Sequence, residues 1–308
     1  MKDLTLPEGH RVLGLEYITR KEFDQIDQLM ELCCKQENIN LKLELDYKLH
    51  QASIADRKTV PGASAQNEFL YYVNDELVSY LGICCFDGVT GELAGMTHPS
   101  FRAQGIFTIL LDLAAEECRH RPFKALLILT DGNSETGMQY MKVSGYSYDH
   151  SEYRMSRISA PSVLPWAVSS ITLRLACKED EPELARQNAI YFNDAETDEI
   201  TGELIIKSLA DDPENYKTYI VELDGKSIGK INVEYGIDQA FICGFGIKPE
   251  YRGRGYGREA LKATLRSIEE KHLPLTELDV VCTNARALTL YQSCGFQEVS
   301  VMNYYAFR

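Results

Sequence analysis

Residues 251–259 read YRGRGYGRE, from Tyr251 to Glu259. Glycines at 253, 255 and 257 alternate with Arg254 and Tyr256, with Arg252 before them and Arg258 after. The apolar run FICGFGIKP leads in, and EALKATLRSIEE leads out with Leu261, Leu265 and Ile268 at i, i+4 and i+7. That spacing is the stripe of an amphipathic helix, so the stretch reads as a strand-to-helix junction. Glycine accepts φ > 0 and lets a ligand approach the backbone, so such a loop at a helix N-terminus can aim several N–H groups at one anion. The arginines add positive charge around it. The loop therefore predicts a phosphate or pyrophosphate site. Its G-x-G-x-G spacing matches neither the G-x-G-x-x-G dinucleotide fingerprint nor a Walker loop, so the glycines by themselves are weak evidence for any one ligand.

Working outward, ITLRLACK reads as a strand, PELARQNAIYF and DEITGELIIKSLA as helices, and Asp224-Gly225 as the turn of a hairpin. LTELDVVCT reads as a strand, NARALTLYQSC as a short helix stopped by Gly295, and FQEVSVMNYYAF as closing strands. The layout predicts an α+β fold with a mostly antiparallel sheet flanked by helices. Laid over itself at a shift of 150 residues, the chain matches Asn74-Asp75 with Asp224-Gly225, Pro99, Arg102 and Gly105 with Pro249, Arg252 and Gly255, and Gly145-Tyr146 with Gly295-Phe296. A gap-free match of turn, loop and terminal features predicts one fold present twice. Prolines and small residues near residue 160 place the boundary there. The expected organisation is an N-terminal domain over 1–157, a linker over 158–170 and a C-terminal domain over 171–308.

RGRGYG, Arg252 to Gly257, also fits the R/Q-x-x-G-x-G/A pattern of the GNAT N-acetyltransferases, and NARALTLYQSCGF, Asn284 to Phe296, follows at that family's usual distance. The second half resembles this family strongly; the first resembles it loosely, through the repeat. The resemblance implies two tandem GNAT-like domains with acetyl-CoA as co-substrate. It places the pyrophosphate on the backbone of Arg254, Gly255, Tyr256, Gly257 and Arg258, within the motif that Arg252 and Gly253 open. It lays the pantetheine arm along Phe245, Gly246 and Ile247, with a hydrogen bond from Asn284. Tyr291 falls where the family commonly places the acid that protonates the departing thiolate, against the alternative of a core aromatic. For the base, Glu234 and Asp279 are candidates, each also readable as a solvated strand charge.

The first half departs from the pattern. Its loop reads RAQGIF, with Phe107 where the second half has Gly257, and Met141 falls on Tyr291 with Tyr140 adjacent. Glu92 lies on the strand where some family members carry a general base; Ile242 is its counterpart. A second CoA in the N-terminal domain and a purely structural role both stay open.

Charge and composition bound the function. The net charge of −14 argues against nucleic acid as a partner. No apolar run approaches the ~18 residues of a membrane span, and Met1 to Leu15 lacks a signal-peptide layout, so no membrane partner and a cytoplasmic location are expected. The nine cysteines include no C-x-x-C pair, and they are expected to be reduced, with no metal site. Residues 178–214 hold twelve acids against three bases, while 248–271 hold seven bases against four acids. This polarity suits CoA phosphates at one end and a small cationic amine acceptor at the other. The expected function is transfer of an acetyl group from acetyl-CoA to that amine by direct attack. The alternatives are a non-catalytic acyl-CoA-binding or regulatory module, or an acyltransferase acting on an aminoglycoside-type or other acceptor.

Overall fold

The computed structural model describes residues 5–55, 65–159, 170–192, 215–236 and 238–307. The expected helix DEITGELIIKSLA lies outside them. Chain order gives β1 (His10–Leu15), α1 (Arg20–Glu37), α2 (Leu45–Ala55), β2 (Glu68–Val73), β3 (Glu76–Cys84), β4 (Thr90–Thr97), α3 (Ile106–Cys118), β5 (Ala125–Asp131), α4 (Glu135–Ser144) and β6 (Ser147–Ile158). Then come β7 (Thr172–Leu175), α5 (Glu181–Phe192), β8 (Tyr216–Leu223), β9 (Lys226–Tyr235), β10 (Gln239–Ile247), α6 (Tyr256–Glu269), β11 (Leu275–Val281), α7 (Ala285–Gln292) and β12 (Gln297–Ala306). Among the described residues no helix is long and apolar enough to cross a membrane.

Two compact units result, one of Met1–Ser151 with Ser300–Arg308 and one of Glu152–Val299. In the first, β1, β2, β3, β4, β5 and β12 pair in that order, and all pairs are antiparallel except β4 with β5. In the second, the order is β6, β11, β10, β9, β8, β7, with only β10 and β11 parallel. Each sheet thus takes its last strand from the other half of the sequence. The register repeats too: Ile128 faces Tyr305 in the first unit and Leu278 faces Met155 in the second, the same pairing at a shift of 150. The units divide at 151/152 and 299/300 rather than in 158–170. The start of that stretch, Ile158, is still strand, paired with Leu275.

Local chemistry explains the elements. Asn74 and Asp75 have φ of 48° and 65°, Asp224 and Gly225 of 50° and 72°, the doubly left-handed backbone that a two-residue hairpin loop requires and that these residue types tolerate. In the second unit, Leu261, Leu265 and Ile268 of α6 bury against Ile231, Val233, Ile242 and Leu278, each such side chain contributing about 2 kcal/mol. The opposite face of that sheet receives Leu184 of α5 on Ile220. The first unit is layered likewise: Ile106, Leu110 and Leu111 of α3 cover one face, and Ile26, Leu29 and Cys33 of α1 the other.

Candidate functional site

The glycine loop of the second unit adopts the backbone that its composition allows. Gly253 and Gly255 have φ of 76° and 88°, and a Cβ at either would meet nothing within 4 Å. It is therefore backbone conformation, not crowding, that calls for glycine here. Gly255 is the N-cap of α6, and the first helical bond runs from Glu259 N to Gly255 O at 3.1 Å. The amides of Tyr256, Gly257 and Arg258 have no acceptor within the helix, and the positive end of the helix dipole adds to them. Arg252 Nε donates to Ile247 O at 2.7 Å, bracing the loop on the strand, and Arg258 Nε donates to Ser293 Oγ at 3.1 Å. Arg254 is exposed and lies over the Tyr251 ring at 6.0 Å.

Strand β10 leaves its pairing with β11 beside this loop. It pairs with β11 only from Gln239 to Ile242. Its register against β9 shifts between Cys243 and Gly246, where Gly244 has φ of 53°. The bulge bends the strand, so β10 has parted from β11 before it reaches Phe245 and Ile247. A Cβ at Gly257 would lie 3.6 Å from Ile247 Cγ1, 3.6 Å from Leu290 Cδ2 and 3.8 Å from Phe245 Cζ, so Gly257 faces both β10 and α7. Gly246 has a packing reason of its own, since a Cβ there would collide with the ring of Tyr191 from α5.

Asn284 caps α7, its Oδ1 accepting from Ala287 N at 3.1 Å. Tyr291 is 8% exposed and stands edge-on to Phe296 with ring centroids 6.0 Å apart. Burial pushes its phenol up to about 12, so it stays protonated as a donor. Its hydroxyl has no hydrogen-bond partner among the described residues. Glu234 lies on the other face of the sheet, half-buried, where its charge acts on Cys243 and Tyr216. The sheet therefore separates the candidate acid from the candidate base. Asp279 is held by the Arg154 guanidinium through Nε–Oδ1 at 2.5 Å and Nη2–Oδ2 at 3.1 Å.

Of the twelve acids expected near the acceptor, Glu179, Asp180, Glu181 and Glu183 are described, and the other eight lie outside the described residues. Asp180 takes a two-point grip from Arg174 at 2.8 Å and 2.8 Å. Glu183 pairs with Lys248 at 2.5 Å and Arg186 at 2.9 Å. Although burial raises the Glu183 carboxyl, those partners bring it down to about 2. These two charges are committed to ion pairs.

Sequence reading passed over one group. Lys230 and Asn232 of β9 lie on the Glu234 face and are 1% and 5% exposed. The KSIGKINVEY alternation carries them, but a strand lysine ordinarily reads as solvated.

The first unit repeats the loop backbone. Arg102 and Arg252 have φ of −71° and −69°, Gly105 and Gly255 of 80° and 88°. Arg102 Nε donates to Thr97 O at 3.0 Å, as Arg252 does to Ile247. The side chains differ. Phe107 stands edge-on to Tyr140 at 5.2 Å and packs close to Gly95 of β4, filling the place that Gly257 leaves bare. Arg102 is paired with Glu37, and Glu92 lies 3.6 Å from Lys42. Met141 is buried in the core.

Residues 178–296 match the profile of the Acetyltransferase (GNAT) family. The chain is 25% identical over 221 residues to a mycothiol acetyltransferase of Arthrobacter sp. (strain FB24), covering 67% of each chain. It is 29% identical over 93 residues to the [ribosomal protein bS18]-alanine N-acetyltransferase of Escherichia coli (strain K12), covering 30% of this chain and 63% of that one. Among solved structures, a GCN5-related N-acetyltransferase from Sphaerobacter thermophilus is similar at a TM-score of 0.75 and 19% identity, covering 98% of this chain and 96% of its own. A tandem GNAT protein from the clavulanic acid biosynthesis pathway is similar at a TM-score of 0.71 and 14% identity, covering 97% and 98%. These structural likenesses bear on fold alone.

Proposed function

From a chain whose residues 178–296 belong to the GNAT family of acetyltransferases, we propose that the second unit transfers the acetyl group of acetyl-CoA to the amine of a small acceptor. The observation that carries this is the parting of β10 from β11 beside an N-terminal turn of α6 whose amides have no acceptor within the helix. Those amides, with Arg254 and Arg258, suit the pyrophosphate. The free edge of β10 from Phe245 to Ile247 suits the amide-bearing pantetheine arm, as one more strand would. Asn284, at the start of α7, is assigned to the same arm through its amide nitrogen, its oxygen being the cap.

The reaction then needs a neutral amine, a thioester and a proton donor. Nitrogen attacks the carbonyl carbon, the N–C bond forms, the C–S bond breaks, and the thiolate takes a proton from Tyr291. Glu234, on the opposite face of the sheet, is the candidate for the proton that the amine loses, taken through a water at the mouth of the cleft. Tyr291 regains its proton from solvent while Glu234 gives one up to solvent, so the protons balance, and because the amine attacks the thioester directly no covalent enzyme intermediate is required.

The relatives share acetyl transfer in their names but not an acceptor, one being named for mycothiol and the other for an alanine of a ribosomal protein. The acceptor is therefore argued from this chain's own residues. Phe107 favours a second reading for the first unit alone, a GNAT-like body that takes no CoA in this way.

The test is release of free thiol from acetyl-CoA by the full chain across a panel of amines, alongside calorimetric binding of CoA. We expect binding and amine-dependent release with at least one acceptor. Binding without release from any amine would favour the non-catalytic module, and absence of binding would reject the site.

A further inference from the structure

Lys230 and Asn232 pose a problem in electrostatics. Among the described residues Lys230 has no carboxylate or hydrogen-bond acceptor, although it is one of the largest fully buried side chains. Burial drives its ammonium down to about 8, with Cys243 of β10 opposing that shift. The Cys243 thiol is itself pushed up to about 11, first by burial, and so is neutral near pH 7. Asn232 donates from Nδ2 to Tyr216 Oη at 2.9 Å, and its Oδ1 is buried with no partner. A buried lysine without a counter-charge is costly, and a methionine would fill the volume without that cost. Such groups concentrate where a ligand completes them.

Their position is informative. A Cβ at Gly244 would fall 2.5 Å from Asn232 Nδ2 and 3.3 Å from Lys230 Nζ, so both side chains converge on the bulge where β10 has left β11. In the transferase reading, on which this inference rests, that is where the acyl group meets its acceptor. Among the described residues, the other charged or titratable groups facing this side include Tyr216 of β8, Glu234 of β9, Cys243 of β10, Glu277 and Asp279 of β11 with their partner Arg154, and Tyr191 of α5, which packs on Gly246.

We propose that Lys230 and Asn232 form the recognition end of the acceptor site, and that the acceptor is an amine that also carries a carboxylate. The ammonium of Lys230 pairs with the carboxylate, while Asn232 Oδ1 accepts from the acceptor's N–H. One cation beside one amide oxygen suits a singly charged carboxylate next to an amine. A phosphate would meet a single charged donor and a repelling oxygen. Lys230 here determines specificity and takes no part in bond making.

The experiment uses the full chain with saturating acetyl-CoA and a panel of amino acids, each matched to its carboxamide, read by thiol release. The expected result is a kcat/KM at least tenfold higher for accepted amino acids than for their carboxamides. Lys230→Met should abolish that preference, a loss of about 1.4 kcal/mol for a tenfold change, with CoA affinity intact and a melting temperature at or above that of the native chain. Competitive amine labelling read by mass spectrometry should further show Lys230 titrating near 8 and shifting upward with an accepted amino acid bound. Equal turnover of acids and amides, retention of the preference in Lys230→Met, or acceptance only of amines lacking a carboxylate would overturn the proposal while leaving the transferase reading in place. CoA binding with no amine accepted would overturn both.

Discussion

Tyr291 separates packing from chemistry most cleanly at the scale of one residue. Its ring belongs to the core beside Phe296, and its hydroxyl is a desolvated donor. Tyr291→Phe keeps the ring and removes the proton, so kcat should fall by ~10²-fold, within the usual range for acid catalysis, while melting temperature and CoA affinity hold. Near-native kcat under conditions where chemistry limits turnover would place the acid elsewhere. Tyr291→Ala would instead open a cavity and destabilise by about 3 kcal/mol or more. Sequence showed the residue types at such positions but not their surroundings. Gly246 reads as a ligand-facing glycine until Tyr191, distant in sequence, is seen to pack on it. Lys230 is the converse case, since alternation says which side chains share a face of a strand but not whether that face is covered.

Elements whose geometry is set locally were legible. The two hairpin turns, the loop ending at Gly255 and the stripe of α6 each rest on residues within a few positions of one another. The bulge at Gly244 was not legible, because it depends on where β9 and β11 stop matching β10. Nor was the partner of β11, which could be known only from long-range pairing. That partner, β6, gives the element-scale prediction. Met155 precedes the expected boundary, yet it is 0% exposed in the core that contains Tyr291 and Leu278. Met155→Ala should destabilise the second unit by about 2–5 kcal/mol. In urea unfolding with and without CoA, the transition that Met155→Ala lowers should be the one that CoA raises. If CoA raises a different transition, β6 does not stabilise the cofactor-binding unit.

At the scale of the whole molecule, one fold is present twice with one loop backbone and two sets of side chains. The matched turns and loops made the duplication visible in sequence, whereas the exchange of end strands left no sequence mark because β6 and β12 are themselves repeats of each other. Under the proposed function, a few substitutions set the two units apart, chief among them Phe107 for Gly257. The backbone at 257 accepts a phenylalanine, since the first unit already holds one at the equivalent position of the same turn, so Gly257→Phe should fold and fill the space beside the parted β10. Calorimetric titration of CoA into the full chain and into this variant is the most direct test that the second unit's loop and parted strand hold the co-substrate. One tight site per chain, lost in Gly257→Phe with melting temperature retained, is the predicted result; two equal sites, or a variant that binds CoA as the native chain does, would contradict it.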